Sequence, residues 1–284
     1  MNMYTLIDGK QVSQAVKDRV REETMKIKEN GGEITLAVII VGDDPASRVY
    51  VNNKKKACEY VGFNSVEYAL PADTTQQELL ALIDELNNRE DINGILCQLP
   101  LPKHIDKWAV IAAIDVKKDV DAFSAYNVGK IMIGDYDFLP CTPAGVMEML
   151  SYYNISAQGK KCLVIGRSNI VGKPMAMLLM HANGTVTIAH SYTKNLSELS
   201  KDADIIVVAV KIPKFLTADM VKDGAVVIDV GIHRMENGKL CGDVDFENVK
   251  EKCSYITPVP GGVGPMTIAT LMQNTLEAYK IQHT

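Results

Sequence analysis

Several things that would quickly narrow function are missing from the 284 residues. No CxxC pair occurs, and the six cysteines (58, 97, 141, 162, 241 and 253) are scattered with no Cys/His set at metal-ligand spacing. That argues against a zinc site and against a disulfide framework, so no metal is expected. Reduced thiols in a cytoplasmic protein, most of them small core residues, are the simplest account. Excess positive charge is also missing. A formal net charge of −5 and a pI near 5.6 weigh against a general nucleic-acid or anionic-membrane surface. The longest apolar runs, such as Ile205–Val210, are far too short to span a bilayer. The start, MNMYTLIDGK, has no basic region followed by an apolar one, so no signal peptide is expected.

The length allows two domains, and 47% hydrophobic with 23% charged residues is ordinary for a globular chain. One stretch organises the first half, SRVYVNNKKKACEYVG at 47–62. At 3.6 residues per turn, Tyr50, Ala57, Cys58 and Val61 form an apolar stripe flanked by Val51 and Tyr60. Lys55 and Lys56 point to the polar sides. Lys54 falls in the middle of the stripe, one turn from Tyr50. It either snorkels to water or loses solvation. In the second case its pKa falls and it can exchange protons near neutrality.

Around this helix the pattern alternates. Residues 10–30 predict a helix, 35–41 a strand buried on both faces, 63–70 a strand, 74–89 a helix and 92–99 a third strand. Strand–helix alternation predicts a parallel sheet. The third strand runs into Gln98-Leu99-Pro100-Leu101-Pro102, where two prolines stop regular structure. Gln98 at its C-terminal end is a candidate site residue, against the plainer reading of a solvated loop glutamine. The segment 115–123, DVKKDVDAF, reads as too acidic and irregular for a core.

Pro140-Cys141-Thr142-Pro143 marks the expected boundary, with a helix over 144–153 joining two halves. Strands at 162–166, 185–189, 204–210 and 225–230 then alternate with helices at 173–182, 195–201 and 217–222, a Rossmann-like arrangement. The first turn, Gly166-Arg167-Ser168-Asn169-Ile170-Val171-Gly172, is not GxGxxG, but it still delivers N–H groups at a helix N-terminus. The end of the second strand, His190-Ser191-Tyr192-Thr193-Lys194, lacks the acid that takes the ribose hydroxyls of NAD. Arg167, Ser191 and Lys194 could instead accept a 2′-phosphate, which favours NADP. Asp229-Val230-Gly231-Ile232 ends the fourth strand and should line the cofactor crevice. The last irregular stretch, Thr257 to Thr267 with its PVPGGVGP core, leads into a helix over 266–280. Its apolar face is expected to pack on the first half.

These segments together resemble the bifunctional methylenetetrahydrofolate dehydrogenase/methenyltetrahydrofolate cyclohydrolase family. The resemblance is carried by VGDDPASRVYVNNKKKACEYVGF, DINGILCQLPLP, KKDVDAF, PCTPAGV, GRSNIVGKPMAMLL, GDVDF and ITPVPGGVGPMTIATLMQNT, in the family's order over most of the chain. Two positions depart: Ala122 stands where the family usually has Gly, and Cys97 where an aliphatic residue is more usual. The resemblance implies an α/β fold of two domains. One, 1–143 plus 266–284, is catalytic and binds folate; the other, 144–265, is a Rossmann-like NADP domain. It also implies a cytoplasmic homodimer joined through the cofactor domains. Carried over by motif, Tyr50, Lys54, Gln98 and Asp121 are catalytic. Cys97, Leu99, Pro260, Gly261, Gly262, Val263 and Gly264 border the folate cleft with them. Gly166, Arg167, Ser168, Ser191 and Ile232 hold NADP. Lys54 is the expected acid/base of the hydrolytic step, and Asp121 the expected anchor of the pterin. Two rivals stay open: another two-domain NADP dehydrogenase acting on a shikimate-like acid, and a non-catalytic NADP-sensing protein. Neither gives a role to Tyr50 and Lys54 with QLPLP and PGGVGP.

Overall fold

The structure, a computed structural model, describes residues 4–284 apart from the side chain of Ala46. Residues 1–3, part of the start considered above for a signal peptide, lie outside the described residues. Along the chain the elements are β1 (Thr5–Leu6), α1 (Gly9–Glu29), β2 (Thr35–Val41), α2 (Pro45–Val61), β3 (Asn64–Leu70), α3 (Gln76–Asn88), β4 (Gly94–Cys97), α4 (Lys107–Ala113), α5 (Ala125–Ile133) and α6 (Cys141–Tyr152). There follow β5 (Lys161–Ile165), α7 (Gly172–His181), β6 (Thr185–Ala189), α8 (Leu196–Asp202), β7 (Ile205–Val208), β8 (Ala225–Asp229), β9 (His233–Arg234), β10 (Leu240–Cys241), α9 (Phe246–Val249), β11 (Cys253–Ile256) and α10 (Val263–Gln282). Two compact units result. One takes Gln14–Leu139 with Ile268–Thr284; the other takes the described residues up to Ser13 with Pro140–Thr267.

The first unit is built on a three-stranded parallel sheet in the order β3-β2-β4. Every residue of β2 is buried, as its unbroken LAVIIV run predicts for a two-faced central strand. Ile39, Ile83, Leu79, Leu86 and Ile95 pack with Val110 into one core cluster. α3 starts at a reciprocal capping box between Thr75 and Glu78. The α2 helix starts at Asp44, whose carboxylate accepts from the Ser47 N–H at 2.8 Å, and ends at Gly62 with φ 88°. The C-terminal helix belongs here as expected: Asn274 Nδ2 donates to the carbonyls of Val120 and Leu139, both at 2.8 Å.

The segment 115–123 corrects the reading that it is too acidic and irregular for a core. Lys118, Asp119, Val120 and Ala122 are all buried. Lys118 Nζ donates to the carbonyls of Leu86, Asn87 and Arg89, the unsatisfied end of α3. Its burial lowers the ammonium pKa. Asp119 accepts from the Ser124 N–H and Asn127 Nδ2 at 2.8 and 2.9 Å. Polar residues pass into a core when backbone groups elsewhere complete them.

The second unit holds a six-stranded sheet in the order β1-β11-β8-β7-β5-β6, its strands parallel. Crossovers reverse direction at β5, placing the ligand crevice of such a sheet beyond the C-terminal ends of β5 and β7. The opening strand pairs here, Thr5 with Tyr255 and Leu6 with Ile256, whereas the sequence reading grouped 1–143 together. A strand of two residues carries no period to be read. The helix expected over 217–222 is a single 3₁₀ turn, Ala218–Met220. Leu216 donates to the Asp243 carbonyl and accepts from the Asp245 N–H, which leaves room for only one turn before Gly224. The final helix begins at Val263, earlier than the expected 266, with Pro265 in its first turn where no N–H is needed. Among the described residues no helix is long and apolar enough to cross a membrane.

Candidate active site

In the first unit, α2 and the end of β4 bring together the residues the sequence singled out. Lys54 Nζ donates to Gln98 Oε1 at 2.8 Å. Lys54 is half-buried while Lys55 and Lys56 are exposed, as helical geometry requires. Tyr50, one turn before Lys54, keeps 40% of its surface and so remains open to a ligand. Gln98 is held at both ends: its backbone N–H donates to Ile39 O at 2.8 Å, and its Nε2 donates to Leu99 O at 2.7 Å. With the amide nitrogen committed to Leu99, the amide oxygen is the atom turned to the lysine. The peptide that follows, Leu99-Pro100, is cis.

Asp121 comes near the end of β4 because residues 118–119 run beside that strand. Ile95 donates to Lys118 O at 2.8 Å and pairs in parallel with Asp119. The Cys97 thiol is pushed up to about 12, first by burial and then by the charge of Asp121. Cys97 is therefore a protonated, apolar filler behind Gln98, doing the packing of the aliphatic residue it replaces. Ala122 is buried with φ 56°, the left-handed region. That conformation explains why glycine is the usual occupant.

In the second unit, the turn after β5 shows why two glycines are needed. A Cβ on Gly166 would lie 2.4 Å from Ala209 O, and one on Gly172 would lie 2.2 Å from Gly166 O. Ser168 Oγ accepts from the N–H groups of Val171 and Gly172 at 3.2 and 3.3 Å. The Arg167 and Ser191 turns are neighbours: Gly166 N–H donates to Ala189 O at 2.8 Å, and the Arg167 guanidinium lies over the Tyr192 ring at 5.6 Å. Arg167, Ser168, Ser191 and Lys194 are exposed. The donor set is cationic and hydroxylic, which fits a phosphorylated ribose.

Asp229, expected to line the cofactor crevice, instead turns its carboxylate into a buried pair behind Ile232 with Asp243, which sequence reasoning missed. Asp243 is fully buried and accepts from the N–H groups of Val210, Lys211 and Ile212 at 2.7, 3.1 and 2.9 Å. His233 Nε2 lies 2.7 Å from the same carboxylate. Asp229 accepts from the N–H groups of Gly231, Asp243 and Val244, each at 2.9 Å. Burial pushes its carboxyl up to about 6 against those bonds. Its own N–H donates to Thr257 Oγ1 at 2.7 Å, tying in the start of the PVPGGVGP loop. The two carboxylates fix the stretch that carries Ile232, whose Cδ1 is 3.4 Å from where a Cβ on Gly264 would stand. So the expected cofactor residue Ile232 and the expected folate-loop residue Gly264 adjoin. The available signal was the glycine before one aspartate and two after the other, Gly242-Asp243 and Asp229-Val230-Gly231. A Cβ on Gly242 would lie 1.9 Å from Asp229 Oδ2, and one on Gly231 2.5 Å from Asp243 Oδ1.

Residues 7–121 match the model of the tetrahydrofolate dehydrogenase/cyclohydrolase catalytic domain, and residues 140–283 that of its NAD(P)-binding domain. The chain belongs to this family. The bifunctional protein FolD of Agathobacter rectalis is 60% identical over 278 residues, covering 98% of this chain and 100% of the relative. The crystal structure of the bifunctional FolD methylenetetrahydrofolate dehydrogenase/cyclohydrolase from Campylobacter jejuni superposes with a TM-score of 0.96 at 51% identity, covering 98% and 99% of the two chains. The Trypanosoma brucei methylenetetrahydrofolate dehydrogenase-cyclohydrolase, solved with NADP cofactor and an inhibitor, gives a TM-score of 0.93 at 37% identity, covering 98% of each chain. Family membership over nearly the whole chain favours neither a shikimate-type dehydrogenase nor a non-catalytic sensor.

Proposed function

We propose that this chain oxidises 5,10-methylenetetrahydrofolate to the 5,10-methenyl cation with NADP and then hydrolyses that cation to 10-formyltetrahydrofolate. NADP, when bound, accepts the hydride that leaves the one-carbon bridge. The donor set of Arg167, Ser168, Ser191 and Lys194 supports its 2′-phosphorylated form, and Gly166 and Ile232 border the same crevice. Pro260, Gly261, Gly262, Val263 and Gly264 shape the folate edge beside Ile232.

The observation that carries the hydrolytic half is the Lys54–Gln98 hydrogen bond of 2.8 Å. In hydrolysis the water oxygen bonds to the methenyl carbon and the ring C–N bond breaks. Lys54 takes one proton from the water and returns it to the departing nitrogen. As the C–N bond breaks, the carbinol oxygen loses the second proton to solvent and becomes the formyl carbonyl, so hydrolysis of the cation releases one proton overall. The cationic substrate disfavours a second positive charge, so it favours the neutral amine that this role needs. Gln98 orients that amine through a neutral amide and adds no charge that would hold the proton on. Asp121 accepts N–H bonds from the amino-pyrimidine edge of the pterin and fixes its orientation. Tyr50 offers its exposed ring to the folate, while Cys97 and Leu99 line the strand end.

The assignment of a cytoplasmic homodimer joined through the cofactor-binding units rests on the family resemblance, and sedimentation of the full chain tests the dimer. The activity is tested spectrophotometrically with methylenetetrahydrofolate and NADP or NAD, following reduced nicotinamide and methenyl absorbance together. Reduction of NADP with transient methenyl absorbance is expected. Cofactor binding without turnover would reinstate the sensor reading.

A further inference from the structure

The Arg167 guanidinium lies over the face of Tyr192, 5.6 Å from the ring centroid. Tyr192 is 80% exposed, yet its backbone is held firmly. The 190–193 turn closes through three bonds: His190 N–H to Thr193 Oγ1 at 2.9 Å, Thr193 N–H to His190 O at 2.8 Å, and Tyr192 N–H to His190 Nδ1 at 3.2 Å. The His190 ring meets the Tyr192 ring edge-on at 6.2 Å. One side of the tyrosine is thus braced, and its face is turned to a cation. Among the described residues no carboxylate pairs with Arg167. A long, flexible guanidinium chain with no anionic partner would otherwise sample many rotamers.

We infer that Tyr192 is a positioning residue for cofactor choice: its ring face holds the Arg167 guanidinium beside Ser191, ready for a 2′-phosphate. The inference rests on the reading that Arg167 takes that phosphate. The ring quadrupole attracts the cation and restricts it without supplying a counter-charge. A carboxylate in the same place would hold the arginine equally well but would repel the phosphate. An aromatic face orders the cation and leaves its charge available. The gain is confined to ligands bearing the phosphate, because NAD has no 2′-phosphate for Arg167 to pair with.

The test is equilibrium binding of NADP and NAD to the full chain by calorimetry, with 2′,5′-ADP and 5′-AMP as fragments that isolate the phosphate. An exposed cation–π contact is worth roughly two- to fivefold in affinity. Tyr192→Ala and Tyr192→Leu are each expected to weaken NADP and 2′,5′-ADP by that factor, and to leave NAD and 5′-AMP within twofold. Tyr192→Phe, which keeps the ring, is expected to bind NADP like the parent. In an Arg167→Ala background, Tyr192→Ala should have no further effect on NADP, since the two act as one unit. Equal weakening of NADP and NAD by Tyr192→Ala would make the ring an adenine platform and overturn the inference. So would Tyr192→Leu behaving like the parent, or additivity with Arg167→Ala. The single Arg167→Ala variant separates the two layers. If it weakens both cofactors equally, Arg167 does not read the phosphate and both readings fall. If it weakens NADP alone while Tyr192→Ala is silent, only the role of Tyr192 falls.

Discussion

Replacing Gln98 by glutamate probes the proposed proton transfer by moving a single charge. Gln98 Oε1 stands 2.8 Å from Lys54 Nζ, and a carboxylate oxygen there would form an ion pair. Two unit charges at that distance attract by about 1.5 kcal/mol at the dielectric of water and by about 6 kcal/mol at an effective value of 20. Lys54 and Gln98 are both half-buried, so the pair belongs toward the lower bound. An attraction of about 2 kcal/mol raises the ammonium pKa by about 1.5 units. The neutral fraction near neutral pH then falls roughly 30-fold, and hydrolysis falls with it. The lower limb of the cyclohydrolase pH–rate profile should move up by the same interval, with rate recovering at alkaline pH. That recovery separates a charge effect from misfolding, which no pH rise repairs. NADP affinity should be unchanged. The assay follows the decay of methenyl absorbance across pH. A cyclohydrolase rate within about threefold of the parent, with an unmoved profile, would refute Lys54 as the group that carries the proton.

Lys54→Met, of similar length without the amine, should abolish hydrolysis while leaving NADP titration unchanged; near-normal methenyl decay would end its assignment. Asp121→Asn should raise KM for the folate substrate and lower both activities, and an unchanged KM in steady-state assays would count against a pterin anchor. Gly242→Ala places a methyl carbon 1.9 Å from Asp229 Oδ2 and must displace that carboxylate from three N–H donors, at a cost of about 3 kcal/mol in urea denaturation. Asp229 itself predicts a pH dependence. Its carboxyl is raised from 3.8 to about 6 in the folded chain, so the folded state binds a proton that the unfolded state has released. The Asp229 contribution is fully present below about pH 4 and is lost as pH rises through about 6, by on the order of 3 kcal/mol. The stability of the parent relative to Asp229→Asn should therefore fall between those pH values, and a flat difference would contradict it.

The helix around Lys54 was legible because helical geometry is local. Spacing alone placed Lys54 among apolar neighbours and its two successors in water. The two-faced β2 was legible for a similar reason: a run without polar breaks has no side to expose. Lys118 and Asp119 were misjudged because their partners lie elsewhere in the chain. Three carbonyls at the end of α3 complete one, and the amide of Ser124 with the side chain of Asn127 completes the other. No periodicity announces such partners. The Asp229–Asp243 pair escaped for the same reason, although the glycines beside both aspartates record how closely backbone must approach them. Ala122 shows the converse. Its departure from glycine was visible in the sequence, while the left-handed backbone that gives the departure meaning was visible only in three dimensions.

Neither compact unit is a continuous stretch of chain, and this bears on how the protein can be made. The Thr5–Leu6 strand waits for Tyr255 and Ile256 before it has a neighbour. The carbonyls of Val120 and Leu139, which flank the stretch holding α5, wait for Asn274. During synthesis both ligand-binding halves therefore stay unfinished until the helix over 263–282 has emerged. A gene fragment cut at Pro140 would encode two incomplete bodies. A shortened product lacking 268–284 would lose the Asn274 ties beside Asp121. Interdigitated connectivity of this kind makes the fold a check on full-length translation: a truncated chain lacks the buried C-terminal helix of the catalytic unit and should be cleared as unfolded protein.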